Sequence, residues 1–268
     1  MKHEKNATIE PYPRMRQLTI DGGWINSRRH NIHGLLEMDV TNARRIIAAH
    51  KQQTGETISF TAFMLACLAR AVRDNPRMHA YRDWRGRLVM FHDVNVNTMF
   101  QADVDGRQTV LPHIVKAADK KNVRQIHDEI RAVQQQHTTS RNSDEARYIK
   151  RFVALPAFVR RIFYWYIYRN PYFLHERFGT VSLTAVGMFG KGGGWGIAFG
   201  NNTLCVTLGG IAEKPGVVDG RIAIRDYLSI TLTMDHDIID GAPAARFAQQ
   251  FKDLVETAHT LRDIGPAH

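Results

Sequence analysis

Cysteine is scarce in this chain: there are two among 268 residues, Cys67 and Cys205. Two thiols make no disulfide framework, and each sits in an apolar run where a small core hydrophobe is the ordinary reading. Long uncharged apolar runs are also missing, so no stretch predicts a membrane span. The N-terminal Met-Lys-His-Glu-Lys-Asn has no apolar signal segment, and a cytoplasmic protein is expected. There is no internal repeat and no low-complexity segment. No Gly-x-Ser-x-Gly elbow occurs, which disfavours a serine hydrolase of that type. His30 and His33 lack a nearby carboxylate pair, so no metal is expected. Acid is the scarcer charge, with 26 Asp and Glu against 36 Lys and Arg, a net charge of +10. That surplus favours anionic partners such as a nucleotide-bearing cofactor, an acidic carrier protein or a membrane surface. No RNA- or DNA-binding signature accompanies it, and nucleic acid is not an expected partner. With 44% hydrophobic residues the chain suits one soluble domain over residues 1–268, with a helical insertion near 141–178.

The most informative stretch runs from Ser229 to Phe251. Leu228, Ile230, Leu232 and Met234 alternate with Ser229, Thr231, Thr233 and Asp235, the period of a half-buried strand. After Gly241 the period changes. Phe247, Phe251, Leu254, Val255, Ala258 and Leu261 recur at three- and four-residue steps, predicting an amphipathic helix to about Leu261. Asp240 or Gly241 is the candidate cap and Pro243 suits the first turn. The strand-to-helix turn thus presents His236 and Asp240, with Gly241 allowing a close bend behind them. An imidazole titrates near neutrality and can take a proton from a thiol or hydroxyl. A carboxylate can orient it directly, or pin the surrounding loop through a cation.

Ahead of this stretch, residues 1–27 are polar and contain proline, an arm or edge element. His33–Val40 predicts a strand, Thr41-Asn42 the cap of a helix to about Gln53, and Phe60–Val72 a buried helix. Leu88–His92, Val94–Ala102 and Thr109–Val115 predict strands, and Asn122–Gln136 a polar helix with one apolar face. Thr180–Val186, Thr203–Ile211 and Gly216–Ile224 predict further strands. Between the first two lies Gly187–Gly200, rich in glycine. It lacks both the Lys-Ser/Thr ending of a phosphate loop and the context of a dinucleotide fingerprint, so its glycines, Gly187 first, predict close approach of backbone or ligand. The pattern fits an α/β mixed sheet covered by helices.

The residues from 146 to 175 include no acid, while Arg151, Arg160, Arg161 and Arg169 punctuate Phe152, Phe158, Phe163, Tyr164, Trp165, Tyr166 and Tyr168. A basic aromatic helix can lie on an anionic membrane. The plainer expectation is a helical hairpin packed on its own protein or at a subunit interface.

His236-Asp237-Ile238-Ile239-Asp240-Gly241-Ala242, Glu37–Arg45, Leu111-Pro112, Gly209-Gly210-Ile211 and Val218-Asp219-Gly220 together resemble the catalytic domain of the 2-oxo acid dehydrogenase dihydrolipoyl acyltransferases. Their superfamily includes chloramphenicol acetyltransferase. The resemblance covers about four-fifths of the chain and lapses between Arg141 and Phe178. Asp237 stands where the acyltransferases usually have Arg. The resemblance implies a two-layer α/β sandwich of the chloramphenicol acetyltransferase kind, assembled as a trimer or larger homo-oligomer. It implies His236 as general base, with coenzyme A and a lipoyl-type thiol as substrates and an acyl carrier or dehydrogenase components as partners. The family's oxyanion donor is a Ser or Thr three residues before a Gly. Thr184-Ala185-Val186-Gly187 fits, with Ser182 as the substitute one repeat earlier. Asp240 would be the carboxylate that fixes the loop through Arg28 or Arg29. The family's site lies between subunits, with the His from one chain and the hydroxyl from its neighbour. No residue is singled out for contacts to coenzyme A. The lipoyl and subunit-binding domains that ordinarily precede this domain have no room here, so a free-standing domain is expected. The runner-up is a non-catalytic trimeric scaffold of the same fold, organising partners or docking on a membrane through residues 146–175.

Overall fold

The computed structural model describes residues 8–104, 107–139, 148, 151–187, 192–262 and 264. Its strands are β1 (Asn31–Asp39), β2 (Tyr81–Arg82), β3 (Leu88–Val89), β4 (Val96–Val104), β5 (Arg107–Val115), β6 (Val181–Ala185), β7 (Leu204–Val218) and β8 (Arg221–Asp235). The helices are α1 (Gln17–Asn26), α2 (Thr41–Thr54), α3 (Phe60–Arg73), α4 (Val123–Thr139), α5 (Ala157–Tyr168), α6 (Pro171–Phe178) and α7 (Gly241–Glu256).

Six strands make one sheet in the order β1-β8-β7-β6-β4-β5. It is mixed, because β6 runs parallel to both β4 and β7 while the other pairs are antiparallel. The alternation in β8 sets its two faces. Leu228, Ile230, Leu232 and Met234 join Leu204, Val206 and Leu208 in the main core with residues of α3 and α7. α3 packs between α4 and α7, which explains why it is apolar nearly all round. Its start is capped by Ser59, whose Oγ accepts the Ala62 N–H at 3.4 Å. Gly55, at φ 76°, ends α2 in the left-handed conformation that glycine adopts freely. This is the two-layer sandwich of mixed sheet and helices expected from the sequence.

Ser229, Thr231, Thr233 and Thr207 point to the opposite face and are nonetheless buried. The glycine-rich stretch covers them: Gly193, Gly196 and Gly200 lie against Ser229, Thr207 and Thr233. Close approach of backbone is what requires glycine here. A Cβ on Gly187 would come within 1.7 Å of the Gly209 carbonyl oxygen, and one on Gly209 within 2.0 Å of the Gly194 oxygen.

Several elements differ from the sequence expectation. Residues 17–26 are a helix and not an arm, with Asp21 and Ile25 buried. The strand expected at Leu88–His92 shrinks to β3, which pairs only with β2, because Phe91 leaves it to stack on His175 of α6 at 4.2 Å. Residues 204–218 form one strand through Pro215, and 221–235 another, where shorter separate strands were expected. β6 stops pairing at Leu208, so Pro215 sits on an edge where its missing N–H removes no ladder bond. Asp219 (φ 51°) and Gly220 (φ 74°) close the hairpin with both central residues at positive φ. α7 ends at Glu256 because Ala258 turns left-handed, and a short 3-10 turn follows at His259–Leu261.

α5 and α6 lie partly on the protein. Ile167 and Leu174 form a small second core with Tyr81. Arg160, one of the four arginines among these aromatics, is 4% exposed and clasps Asp21 of α1, Nε donating to Oδ2 at 2.7 Å and Nη2 to Oδ1 at 3.2 Å. Phe158, Ile162, Trp165 and Tyr166 stay exposed. Residues 141–147, 149 and 150 of this region lie outside the described residues.

Candidate active site

β8 ends at Asp235, and the chain turns before α7 with Ile239 buried as its anchor and His236, Asp237 and Asp240 outside. Two neighbours hold the turn. The Asp235 carbonyl accepts from the Ile238 and Ile239 N–H groups, and its Oδ1 accepts from the Asp237 N–H at 3.1 Å. On the other side the His236 N–H donates to the His30 carbonyl at 2.9 Å, continuing the ladder past Asn31↔Asp235. The imidazole itself is left exposed at the strand end, available to a substrate.

The ion pair of this turn is not the expected one. Arg29 Nη1 donates to Asp235 Oδ2 at 2.9 Å, both side chains largely buried, and not to Asp240. The strand register is the reason. Asn31 faces Asp235, so Arg29, two residues earlier, is a diagonal neighbour of that carboxylate, whereas Asp240 lies beyond the turn. Arg28 instead stacks over Trp24 at 4.3 Å. Asp240 is the cap residue of α7, without a side-chain cap bond. His30 Nδ1 and Asp237 Oδ1 sit 2.9 Å apart, giving the acid that replaces the usual Arg a basic partner. At Gly241 an added Cβ would meet nothing within 4 Å and φ is not positive, so the bend needs no glycine.

Thr184 lies two strands away on β6, an interior strand of the sheet. It pairs with Thr207, which pairs with Thr231, five residues short of His236. Two strand spacings across and five residues along place the two Cα atoms roughly 19 Å apart. One chain therefore does not bring His236 and Thr184 together. Thr184 lines a cavity of about 430 Å³ with Ser59, Thr98, His127 and Gln134. His127 escaped the sequence reading because nothing local marks it. Its Nδ1 accepts the Ser59 N–H at 3.1 Å, which leaves the proton on Nε2. Burial, then Arg131, lowers its pKa, so it is a neutral donor. Ser182 sits one repeat back, opposite Cys205. Both cysteines are buried, and burial pushes the Cys67 thiol up to about 12, which rules it out as a nucleophile at neutral pH. Among the described residues no group of three or more His, Cys, Asp and Glu gathers as metal ligands do.

The mixed sheet with helices on one face is similar to the chloramphenicol acetyltransferase fold. A chloramphenicol acetyltransferase superposes with a TM-score of 0.50 at 16% identity, covering 93% of this chain and 98% of that one. The chain belongs to the family described as 2-oxoacid dehydrogenases acyltransferase (catalytic domain), matched over residues 25–146 and 176–262. The gap in that match falls on the basic aromatic segment. One relative is the lipoamide acyltransferase component of the branched-chain alpha-keto acid dehydrogenase complex of Bacillus subtilis, 22% identical over 83% of this chain and 46% of its own length. The chain spans about half the length of the curated relatives it matches. Among solved structures, a probable dihydrolipoamide acetyltransferase from Listeria monocytogenes has a TM-score of 0.70 at 19% identity, covering 95% of this chain and 96% of that one. The dihydrolipoamide acetyltransferase of Azotobacter vinelandii has a TM-score of 0.69 at 17% identity, covering 98% and 97%. A serine, a histidine and an asparagine are named in the catalytic mechanism of the latter. Its serine precedes the histidine by 52 residues and its asparagine follows by four.

Proposed function

We propose that this domain transfers acyl groups between coenzyme A and a lipoyl-type thiol, with His236 as general base and Thr184 as oxyanion donor. The observation that carries this reading is spacing within a shared fold. Thr184 precedes His236 by 52 residues and Asp240 follows it by four, the separations named for the Azotobacter vinelandii enzyme. His236 takes the proton of the attacking thiol, and the thiolate adds to the thioester carbonyl carbon. The carbonyl oxygen, now an anion, accepts a hydrogen bond from the Thr184 hydroxyl. Collapse breaks the bond to the leaving sulfur, which recovers the proton from His236. Arg29 and Asp235 hold the turn that aims the imidazole, and Asp240 stands at the place of the asparagine. Because His236 and Thr184 are far apart within one chain, the reading requires a site shared between neighbouring copies, and a trimer supplies it. The acyl acceptor would be a lipoyl group on a separate domain or on a dehydrogenase component.

Calorimetry with acetyl-coenzyme A, together with thioester turnover on dihydrolipoamide, tests the reading. Binding with turnover that His236→Ala abolishes supports it. Absence of both in the native chain overturns it in favour of a non-catalytic scaffold. One observation favours an additional peripheral role: Phe158, Ile162 and Tyr166 form an exposed stripe on α5. With Arg161 beside it, this stripe suits an anionic membrane surface. Failure of the native chain to float with phosphatidylserine vesicles would dispose of that role.

A further inference from the structure

A second cavity, of about 420 Å³, opens directly beside the His236 turn, and none of the roles assigned so far uses it. Asp235, Asp237 and Ile238 line it, flanking His236 in sequence. Trp165, Tyr168 and Arg169 of the segment outside the family match line it too, as do Arg28 and Arg82. The charges do not balance. Arg29 is committed to Asp235 at 2.9 Å, and Asp237 is met by His30 at 2.9 Å. Among the described residues Arg28, Arg82 and Arg169 have no carboxylate partner. Two of them are nonetheless held in place by rings. Arg28 stacks over Trp24 at 4.3 Å and Arg169 over Trp165 at 4.2 Å. A guanidinium laid on an aromatic face keeps its N–H edge free, and that edge matches a carboxylate or phosphate in two-pronged fashion. The segment itself is fixed here, since Arg160 clasps Asp21 and Arg29 lies over the Tyr168 ring at 5.7 Å.

We infer that this cavity is an anion-binding pocket for the acyl substrate, in which Arg28, Arg82 and Arg169 receive a phosphate or carboxylate of that substrate. The inference rests on the acyl-transfer reading for what the anion belongs to, but not for the existence of the pocket. It makes the basic aromatic segment a specificity element of the active site.

Two sets of measurements test this on the full chain. First, inorganic diphosphate and succinate are titrated separately against indole fluorescence. At least one should quench saturably, with binding weakened about tenfold in Arg169→Gln and in Arg82→Gln, the loss of one charge-assisted hydrogen bond in a partly hydrated site. Trp165→Phe and Trp24→Phe should each reduce the signal, and the two together should remove it. Second, KM is compared across acetyl-coenzyme A, succinyl-coenzyme A and the phosphate-free S-acetyl-N-acetylcysteamine. A rise of about tenfold in the KM ratio of acetyl-coenzyme A to the phosphate-free thioester in the Arg variants assigns the pocket to the nucleotide phosphates. A rise confined to succinyl- over acetyl-coenzyme A assigns it to an acyl carboxylate. No Arg-dependent anion binding, with both ratios unmoved, overturns the pocket. Arg-dependent binding in a chain that turns over no thioester keeps the pocket and removes the acyl-transfer reading instead.

Discussion

Mixing protomers that carry His236→Ala with protomers that carry Thr184→Val probes the site through its geometry. Within one chain the two residues sit at different places on the sheet, separated by two strands and five residues of β8. That places their Cα atoms roughly 19 Å apart, and side chains reaching a few ångströms each cannot share one tetrahedral intermediate across it. Each variant alone should be nearly inactive. Loss of one oriented oxyanion donor costs about 100- to 1000-fold in kcat, and loss of the general base a comparable factor. In a head-to-tail ring the sites lie between copies, so random one-to-one mixing leaves about a quarter of them with an intact His from one copy and an intact Thr from the next. Co-expression with two affinity tags isolates the mixed assemblies, and thioester absorbance reads their turnover. Recovery to about a third of native activity in the purified mixed trimers, each of which keeps one intact interface of three, against less than about one hundredth for either variant alone, is the expected result. A mixed assembly no more active than its parents would refute the shared site, and with it the paired roles of His236 and Thr184.

Two further outcomes follow from buried polar groups. Arg160→Met should destabilise the fold by about 3–5 kcal/mol, because it strands the Asp21 carboxylate, which is 2% exposed. Asp21→Leu in the same chain should recover much of that loss. Denaturant unfolding checks both, and a double variant showing the sum of two single costs would contradict the pairing. His79 is buried against Thr180, and burial, reinforced by His175, pushes its pKa down from 6.5 to about 4. Between those values the unfolded chain binds more protons than the folded one, so stability is complete above pH 6.5 and falls toward pH 4. The fall attributable to this group is about 3 kcal/mol. His79→Gln should flatten that part of the profile in unfolding experiments at a series of pH values, and an unchanged slope would remove His79 as its source.

The strand, turn and helix around His236 were legible because the hydrophobic period changes at one place, and because α3 is too apolar to face water anywhere. α1 was hidden for the opposite reason. Leu18, Ile20, Trp24 and Ile25 form no stripe, and its one telling residue, Asp21, is buried for the sake of a partner 139 positions away. The same long range concealed the Arg29–Asp235 pair. Arg28 and Arg29 are equivalent by spacing, and only the register Asn31↔Asp235 chooses between them. It also chooses the acid, moving the loop-fixing contact from Asp240 to Asp235. Pro215 read as a break between strands because its neighbours give no sign that β7 has become an edge there. His127 reaches the Thr184 cavity from a helix whose polar face looks like any solvated surface. Local pattern thus located what is presented to the outside, while partners fixed by tertiary pairing had to be seen.

The Arg160–Asp21 clasp has an evolutionary consequence. Both residues lie outside the stretches matched by the family model, one before residue 25 and one between 146 and 176. A lineage carrying both cannot discard either by a single substitution, because the survivor is left as a bare charge in the interior. Removing the pair without stranding a charge needs both residues changed together. The clasp therefore works as a ratchet. By joining the N-terminal helix to the aromatic segment, the clasp makes the position of the one depend on the folding of the other.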